Sequence, residues 1–328
     1  MLEPPLRRGF PRVNAPAAEP LRIPALASDL RADELEPIVA AFRAMAAGWA
    51  DGATPARMRD DFEAWCARFP DDRPASVSRV SAGGVPADRI EVPGAAGARV
   101  VLYLHGGGYS LGSARSHRSL GKRIAYAARA RVVLPDYRLA PEHVFPAALD
   151  DAVAAYRALL EAGAPCERIA VAGESAGAGL ALALLVSLRD AGTPLPACGV
   201  LLSPFADLAC SGASYARLAE ADPIVSREMG VSMGRAYVGD GDPGHPLASP
   251  VRAALHGLPP LLVQVGSREV VLDDARAIAR RAREAGVRVE LEEWPGMVHA
   301  WHLFASALED GRRAIEALCA FIREQTGS

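Results

Sequence analysis

The sequence predicts one α/β domain on a mainly parallel central sheet with helices on both faces, plus two pieces outside that sheet. Three observations carry this. Short apolar strand-like runs alternate with helix-like runs from about residue 98 to the C-terminus. Those strands are apolar throughout rather than alternating, as expected for strands covered on both faces. The rhythm is broken over residues 205–257, a stretch rich in Asp, Pro and Gly that reads as an insertion.

In chain order, residues 1 to about 25 are proline-rich and read as irregular. From Asp29 to about Phe69 the pattern is helical. "LEPIVAAFRAMAAGWA" spaces its apolar residues by three and four, and "TPARMRDDFEAWCARF" opens with Thr54 as N-cap and Pro55 at the first helical position. The strands are "ARVVLYLH", "RVVLPDY", "RIAVAG", "ACGVLLSP", "PLLVQVG" and "RVELEEWP". The helices between them are "SHRSLGKRIAYAARA", "PAALDDAVAAYRALLEAG", "AGLALALLVSLRDAG" and "DDARAIARRAREAG". "ALEDGRRAIEALCAFIRE" is the last.

Composition excludes several classes. Half of the 328 residues are hydrophobic and 23% are charged, with a net charge of −3, which suits a globular protein with a large core. Lys122 is the sole lysine, and the arginines are scattered, so neither nucleic acid nor an anionic membrane is indicated as a partner. The five cysteines include no CxxC pair and read as reduced, packed thiols. The first twenty residues lack the apolar core of a signal peptide. No run approaches the roughly 18 apolar residues of a membrane span. The expectation is a soluble, cytoplasmic protein with no membrane anchor and no metal site.

The chemistry is concentrated in "RIAVAGESAGAGLALALL", where a strand runs through Gly173-Glu174-Ser175-Ala176-Gly177 straight into a helix. This is the context of a nucleophile elbow. The tight turn lifts Ser175 above the sheet and directs the Ala176 N–H to where an oxyanion forms. Gly108-Tyr109-Ser110-Leu111-Gly112 also fits GxSxG. However, glycines separate Ser110 from its strand, and Leu111 is bulky where the elbow needs a small residue. The glycines of "VLYLHGGGYSLGS" then acquire a purpose. An HGGG segment after an earlier strand supplies further oxyanion donors, and glycine would let backbone N–H groups approach the substrate. Neither glycine cluster fits a P-loop or a dinucleotide fingerprint. The base follows the nucleophile in chain order, and His299, on the loop after the last strand, is favoured over His302, which reads as already helical. The acid belongs after "PLLVQVG", where Glu269, Asp273 and Asp274 are candidates; capping a helix is the alternative role of the two aspartates.

Taken in order, "HGGGYSLGS", "DYRLAPEHVFPAALDD", "GESAG", "LPPLLVQVGSREVVLDDA" and "WPGMVHAW" resemble the hormone-sensitive-lipase family of α/β-hydrolase esterases, the bacterial type IV esterases, over residues 75 to 325. The resemblance implies the α/β-hydrolase fold with a helical cap. The division would be an N-terminal cap segment over 1–75, a catalytic domain over 76–204 and 258–328, and an inserted cap segment over 205–257. It implies cofactor-free hydrolysis of short-chain carboxylic esters. Ser175 would be the nucleophile, His299 the base, and Gly107, Gly108 and Ala176 the oxyanion donors. His105 would order the glycine loop. Many relatives place Asp-Pro-Leu with its Asp 30 residues before the histidine; here that position is Glu269, followed by Val270, and Asp273 is the runner-up acid. Glu174 is expected to hydrogen-bond in the turn or to the Tyr137–Arg138 loop. Relatives are often homodimers.

Other readings on this scaffold are hydrolysis of lactones or N-acetyl amides, a lyase, and a binding protein. Ser175 argues against the lyase, where Thr is usual, and retention of both Ser175 and His299 argues against the binding protein. In the two extra pieces, Phe42, Met45, Trp49, Phe62 and Trp65, then Phe205, Tyr215, Met229, Met233 and Tyr237, are candidates to line an apolar pocket, with core packing as the alternative.

Overall fold

The computed structural model of the chain describes residues 31–49, 52–95 and 99–327. The proline-rich start lies outside them. The described strands are β1 (Ser76–Ala82), β2 (Val85–Glu91), β3 (Val100–Leu104), β4 (Arg131–Pro135), β5 (Ile169–Glu174), β6 (Cys198–Leu202), β7 (Leu261–Gly266) and β8 (Val289–Trp294). They form one sheet in the order β1-β2-β4-β3-β5-β6-β7-β8, in which β4 and β3 through to β8 run parallel. Every residue of β3, β5, β6 and β7 is buried. Their unbroken apolar runs are explained by helices on both faces. The fold is that of the α/β-hydrolases.

The helices divide by face. α4 (Ala147–Glu161), α5 (Ala176–Asp190) and α8 (Leu272–Glu284) pack against Leu102, Val171, Leu201 and Val263. α3 (Arg118–Ala128) and α9 (Glu309–Gln325) cover the alternate residues of the same strands, Val101, Ala172, Val200 and Leu262. This two-residue alternation is what a strand imposes on its side chains. α5 is buried nearly all round, which is why "GLALALLVSL" carries no polar face until its last turn.

The hairpin of β1 and β2 was not among the strands expected from the sequence. Its signal is Gly83-Gly84 between two alternating runs, and both glycines take positive φ, 64° and 87°. The strand pair joins the sheet antiparallel, through β2 on β4.

Among the described residues, four further helices do not pack on the sheet faces: α1 (Arg31–Ala47), α2 (Pro55–Cys66), α6 (Ser214–Arg217) and α7 (Arg227–Val238). Thr54 caps α2 by accepting from the Arg57 N–H at 3.3 Å, with Pro55 first in the helix, as the sequence suggested. α1 and α2 pack through Phe42, Phe62 and Trp65 on Ile224 of the insertion and on Met297 and Phe304 of the C-terminal segment. Trp65 meets Phe42 and Phe304 edge-on at 5.2 and 5.3 Å. Arg59 locks α2 to the loops beneath it, donating to the Ser110 and Ala140 carbonyls and pairing with both oxygens of Glu142. No described helix is long and apolar enough to cross a membrane.

The hairpin turn gives a stability test. A methyl at Gly84 meets nothing within 4 Å, whereas one at Gly83 runs into the Ala154 carbonyl of α4. Gly84→Ala should therefore cost only the left-handed backbone penalty, about 1–2 kcal/mol. Gly83→Ala should cost clearly more, as read from the two urea midpoints.

Candidate active site

Strand order places the site. The chain leaves β3 outward to β4 and returns to the other side of β3 as β5, so the loops after β3 and β5 face each other at the reversal, where α/β sheets bind ligands. The β3 loop is His105-Gly106-Gly107-Gly108, and the β5 loop is Gly173 to Gly177.

Ser175 sits between β5 and α5 with φ 55° and ψ −122°, a conformation L-residues avoid. Hydrogen bonds hold it there: its N–H donates to the Leu202 carbonyl at 2.8 Å, and its carbonyl accepts from Ala178, Gly179 and Phe205 at 3.0–3.1 Å. The turn is tight enough that a Cβ on Gly173 or Gly177 would collide with backbone carbonyls, including that of Leu104.

His299 lies on the loop after β8. Its Nε2 is 2.8 Å from Ser175 Oγ and its Nδ1 is 2.9 Å from Glu269 Oε2. The carboxylate assigns the proton to Nδ1, leaving Nε2 to accept from the Ser175 hydroxyl. Glu269, in the loop after β7, is fully buried. Its other oxygen accepts from the Gly266 N–H at 2.5 Å and the Ser203 hydroxyl at 2.9 Å. Ser175, His299 and Glu269 are thus brought together from three loops.

The alternatives lie elsewhere. Asp273 accepts from the Ser214 N–H at 2.8 Å, and Asp274 from the Ala206 and Asp207 N–H groups at 3.1 Å. Both stand in the first turn of α8. His302 bonds Gln264, with Nε2 to Oε1 at 2.8 Å. The Ser110 hydroxyl is buried without a partner among the described residues, and that serine's carbonyl is held by Arg59. Glu174 pairs with His117 Nε2 at 3.0 Å, where the sequence suggested the turn itself or the Tyr137–Arg138 loop. Tyr137 instead donates to the His105 carbonyl, and Arg138 pairs with Asp151. A sheet-crossing contact of this kind leaves no local mark in the sequence.

The N–H groups of Gly107, Gly108 and Ala176 donate to no acceptor among the described residues. Gly107 and Gly108 line the cavity beside Ser175. Packing gives these glycines a further reason. A Cβ on Gly106 would strike the Glu174 carboxylate, one on Gly107 the Leu111 carbonyl, and one on Gly108 the Met233 sulfur. The protein's own packing excludes side chains there. His105 stacks on Tyr137 at 4.1 Å, and its Nδ1–H donates to the Gly106 carbonyl at 2.8 Å. Burial and the neighbouring His117 push its pKa down to about 3, so it stays neutral.

Electrostatics separate the candidates further. Burial pushes His299 down, but the Glu269 hydrogen bond and charge, helped by Asp222 and Glu174, outweigh it and hold the imidazole above its ordinary value of 6.5. Burial raises the Glu269 carboxyl, against the hydrogen bonds from His299 and Gly266. His302 has no such carboxylate, and burial takes it to about 3. Asp274 is pushed up to about 8 by burial, opposed by the Ala206 N–H.

Above Ser175 lies a mostly apolar cavity, partly open to solvent. Of the ten aromatic and methionine candidates, Phe42, Trp49, Phe62, Trp65, Met229 and Met233 line it. Phe205, Tyr215 and Tyr237 belong to the main core, and Met45 packs behind the wall. Ser203 and Asp222 were missed by the sequence reading. Asp222 accepts from the Ile224 and Val225 N–H groups at the cavity wall and from Val270 beside Glu269. The one available signal for Ser203 was a hydroxyl at the carboxyl end of an apolar strand.

A family model described as alpha/beta hydrolase fold matches residues 101–303. An acetyl-hydrolase of Streptomyces hygroscopicus is 54% identical over 229 residues, covering 70% of this chain and 77% of that protein. An esterase of Acinetobacter venetianus is 32% identical over 268 residues, covering 81% and 88%. A crystal structure titled as an esterase from the bacterial hormone-sensitive lipase family superposes with TM-score 0.88 at 46% identity, covering 92% of this chain and all of that one. The chain belongs to the bacterial hormone-sensitive lipase family of α/β-hydrolase esterases.

With His299 in the expected role of base, its imidazole must be neutral to take a proton, and its pKa is raised. The acidic limb of kcat/KM for ester hydrolysis should lie above pH 6.5, with activity rising as pH increases through it. Glu269→Gln removes the main raising influence. It should shift that limb to lower pH and cut kcat by about 10²–10⁴-fold. A pH–rate profile of both proteins decides this; an unmoved limb would exclude Glu269 as the partner of His299.

Proposed function

We propose that this enzyme hydrolyses short-chain carboxylic esters, acetyl to about hexanoyl, through an acyl-enzyme on Ser175. The observation that carries the reading is the hydrogen-bonded series Ser175–His299–Glu269, with Ser175 and His299 lining an apolar cavity together with Gly107 and Gly108.

His299 Nε2 takes the Ser175 proton as Oγ attacks the ester carbonyl carbon. The N–H groups of Gly107, Gly108 and Ala176 hold the oxyanion, each donor being worth about 10²–10³ in rate. Collapse breaks the C–O bond to the alcohol, which leaves with the proton from Nε2. A water molecule then attacks the acyl carbon, passes its proton to Nε2, and the second collapse returns that proton to Ser175 Oγ and releases the acid. Glu269 keeps the imidazole oriented and stabilises its cation in both halves. Every proton in these steps moves between side chain, substrate and water.

The described residues of 1–75, together with 205–257, act as a two-part cap over the described residues of a catalytic domain of 76–204 and 258–328. The aromatic wall of Phe42, Phe62, Trp65 and Phe304 supports a short acyl chain, because rings packed edge-on leave little freedom to admit a long one. The name of the Streptomyces relative, acetyl-hydrolase, supports the acetyl end of the range.

Initial rates on p-nitrophenyl esters from acetate to palmitate test this. Turnover should peak at short chains, and Ser175→Ala should lower it by at least about 10⁴-fold. Survival of turnover in that variant would overturn the mechanism. No ester turnover, with cleavage of p-nitroacetanilide or a lactone instead, would redirect the same triad to another acyl substrate.

A further inference from the structure

The three groups of the proposed triad come from loops far apart in sequence, yet all three lead to one short segment at the end of β6. The Leu202 carbonyl accepts from the Ser175 N–H at 2.8 Å, and the Phe205 N–H donates to the Ser175 carbonyl at 3.0 Å. Between them, Ser203 is fully buried. Its hydroxyl donates to Glu269 Oε1 at 2.9 Å and accepts from the N–H of Ala300, the residue after His299, at 3.1 Å. Its own N–H donates to the Gln264 carbonyl of β7 at 2.7 Å. Both oxygens of Glu269 are therefore set from opposite sides, one by His299 and one by Ser203 and Gly266.

Two features mark this serine as more than filler. Its φ is 46°, a left-handed value that a non-glycine residue keeps only when its surroundings hold it there. Its one hydroxyl also spends its donor on the acid and an acceptor lone pair on the base loop, which no apolar residue of similar size can do.

We propose that Ser203 is a positioning residue that sets the register of Glu269 against His299, so that the His299 Nδ1 bond keeps its geometry while the imidazole gains and loses its proton. The inference rests on the triad reading above. Without the hydroxyl, Glu269 Oε1 keeps only the Gly266 N–H and the Ala300 N–H is left buried without an acceptor. The carboxylate can then rotate about its terminal torsion and the His299 loop loses its link to β6.

The test is steady-state kinetics on p-nitrophenyl butyrate with Ser203→Ala, Ser203→Cys and Ser203→Gly, beside Glu269→Gln, with unfolding midpoints for all four. Ser203→Ala should lower kcat at least about tenfold with KM within about twofold, because the loss lies in transition-state geometry rather than binding. Ser203→Cys, which keeps a weak donor and acceptor, should recover part of it. Ser203→Gly relieves the left-handed backbone, so it should lose activity like Ser203→Ala without a matching fall in unfolding midpoint. The low-field proton resonance of the His299–Glu269 bond, present in the parent, should broaden or move upfield in Ser203→Ala. A Ser203→Ala enzyme with parental kcat and an unchanged resonance overturns the proposal while Glu269→Gln remains impaired. An unimpaired Glu269→Gln overturns the triad reading itself, and Ser203 with it.

Discussion

The left-handed backbone at Ser175 is the constraint on which the rest of the site depends. A residue in such a region costs about 1–3 kcal/mol, and persists only where the surroundings impose it. Here β5 delivers it from one side, α5 begins immediately on the other, and main-chain hydrogen bonds to the Leu202 carbonyl and from the Phe205, Ala178 and Gly179 N–H groups hold it in place. The turn sets Ser175 at the end of β5, and the first N–H of α5, that of Ala176, donates to no acceptor among the described residues. It also presses α5 so close to the β3 loop that Gly177 lies against the carbonyls of Leu104 and His105. The glycine loop and the elbow are therefore packed as one unit.

A buried acid–base pair is costly unless each polar atom is matched. Glu269 and His299 meet that condition. The carboxylate receives Nδ1–H, the Gly266 N–H and the Ser203 hydroxyl, and the imidazole receives the Ser175 hydroxyl. In so little water the carboxylate acts strongly on the ring, enough to reverse the effect of burial on His299. His105 and His302 are equally buried and carry no carboxylate contact, and both fall to about 3. Burial thus lowers His105 and His302, while the adjoining carboxylate of Glu269 raises His299.

The cavity wall and the loop carrying Glu269 are mechanically joined. Asp222 binds the N–H groups of Ile224 and Val225 with one oxygen and that of Val270 with the other. Arg268 reinforces this by donating to the Ala221 carbonyl at 3.0 Å. On the other side Met233 of α7 lies against Gly108, and Arg59 of α2 holds the loop at Ser110. The segments that shape the cavity therefore rest directly on the loops that carry the polar groups.

What the sequence determined by itself was whatever depends on neighbours in the chain. The alternation of apolar strands with helices, the Thr54 cap before Pro55, the serine flanked by glycines between strand and helix, and the glycine run after β3 each express a local backbone requirement, so each left a local pattern. The choice among Glu269, Asp273 and Asp274 was different. The three lie within six residues, and the first was favoured only by its place in the loop after the strand, by capping as the alternative role of the two aspartates, and by the spacing shared with a resembled family. In the structure the two aspartates turn to Ser214 and to the Ala206–Asp207 backbone, while Glu269 alone meets His299. The partner of Glu174, the tie through Ser203, and which cap aromatics face the cavity were likewise decided only by tertiary structure. Each depends on which strands become neighbours, and that order is set by packing of the whole sheet rather than by any segment within it.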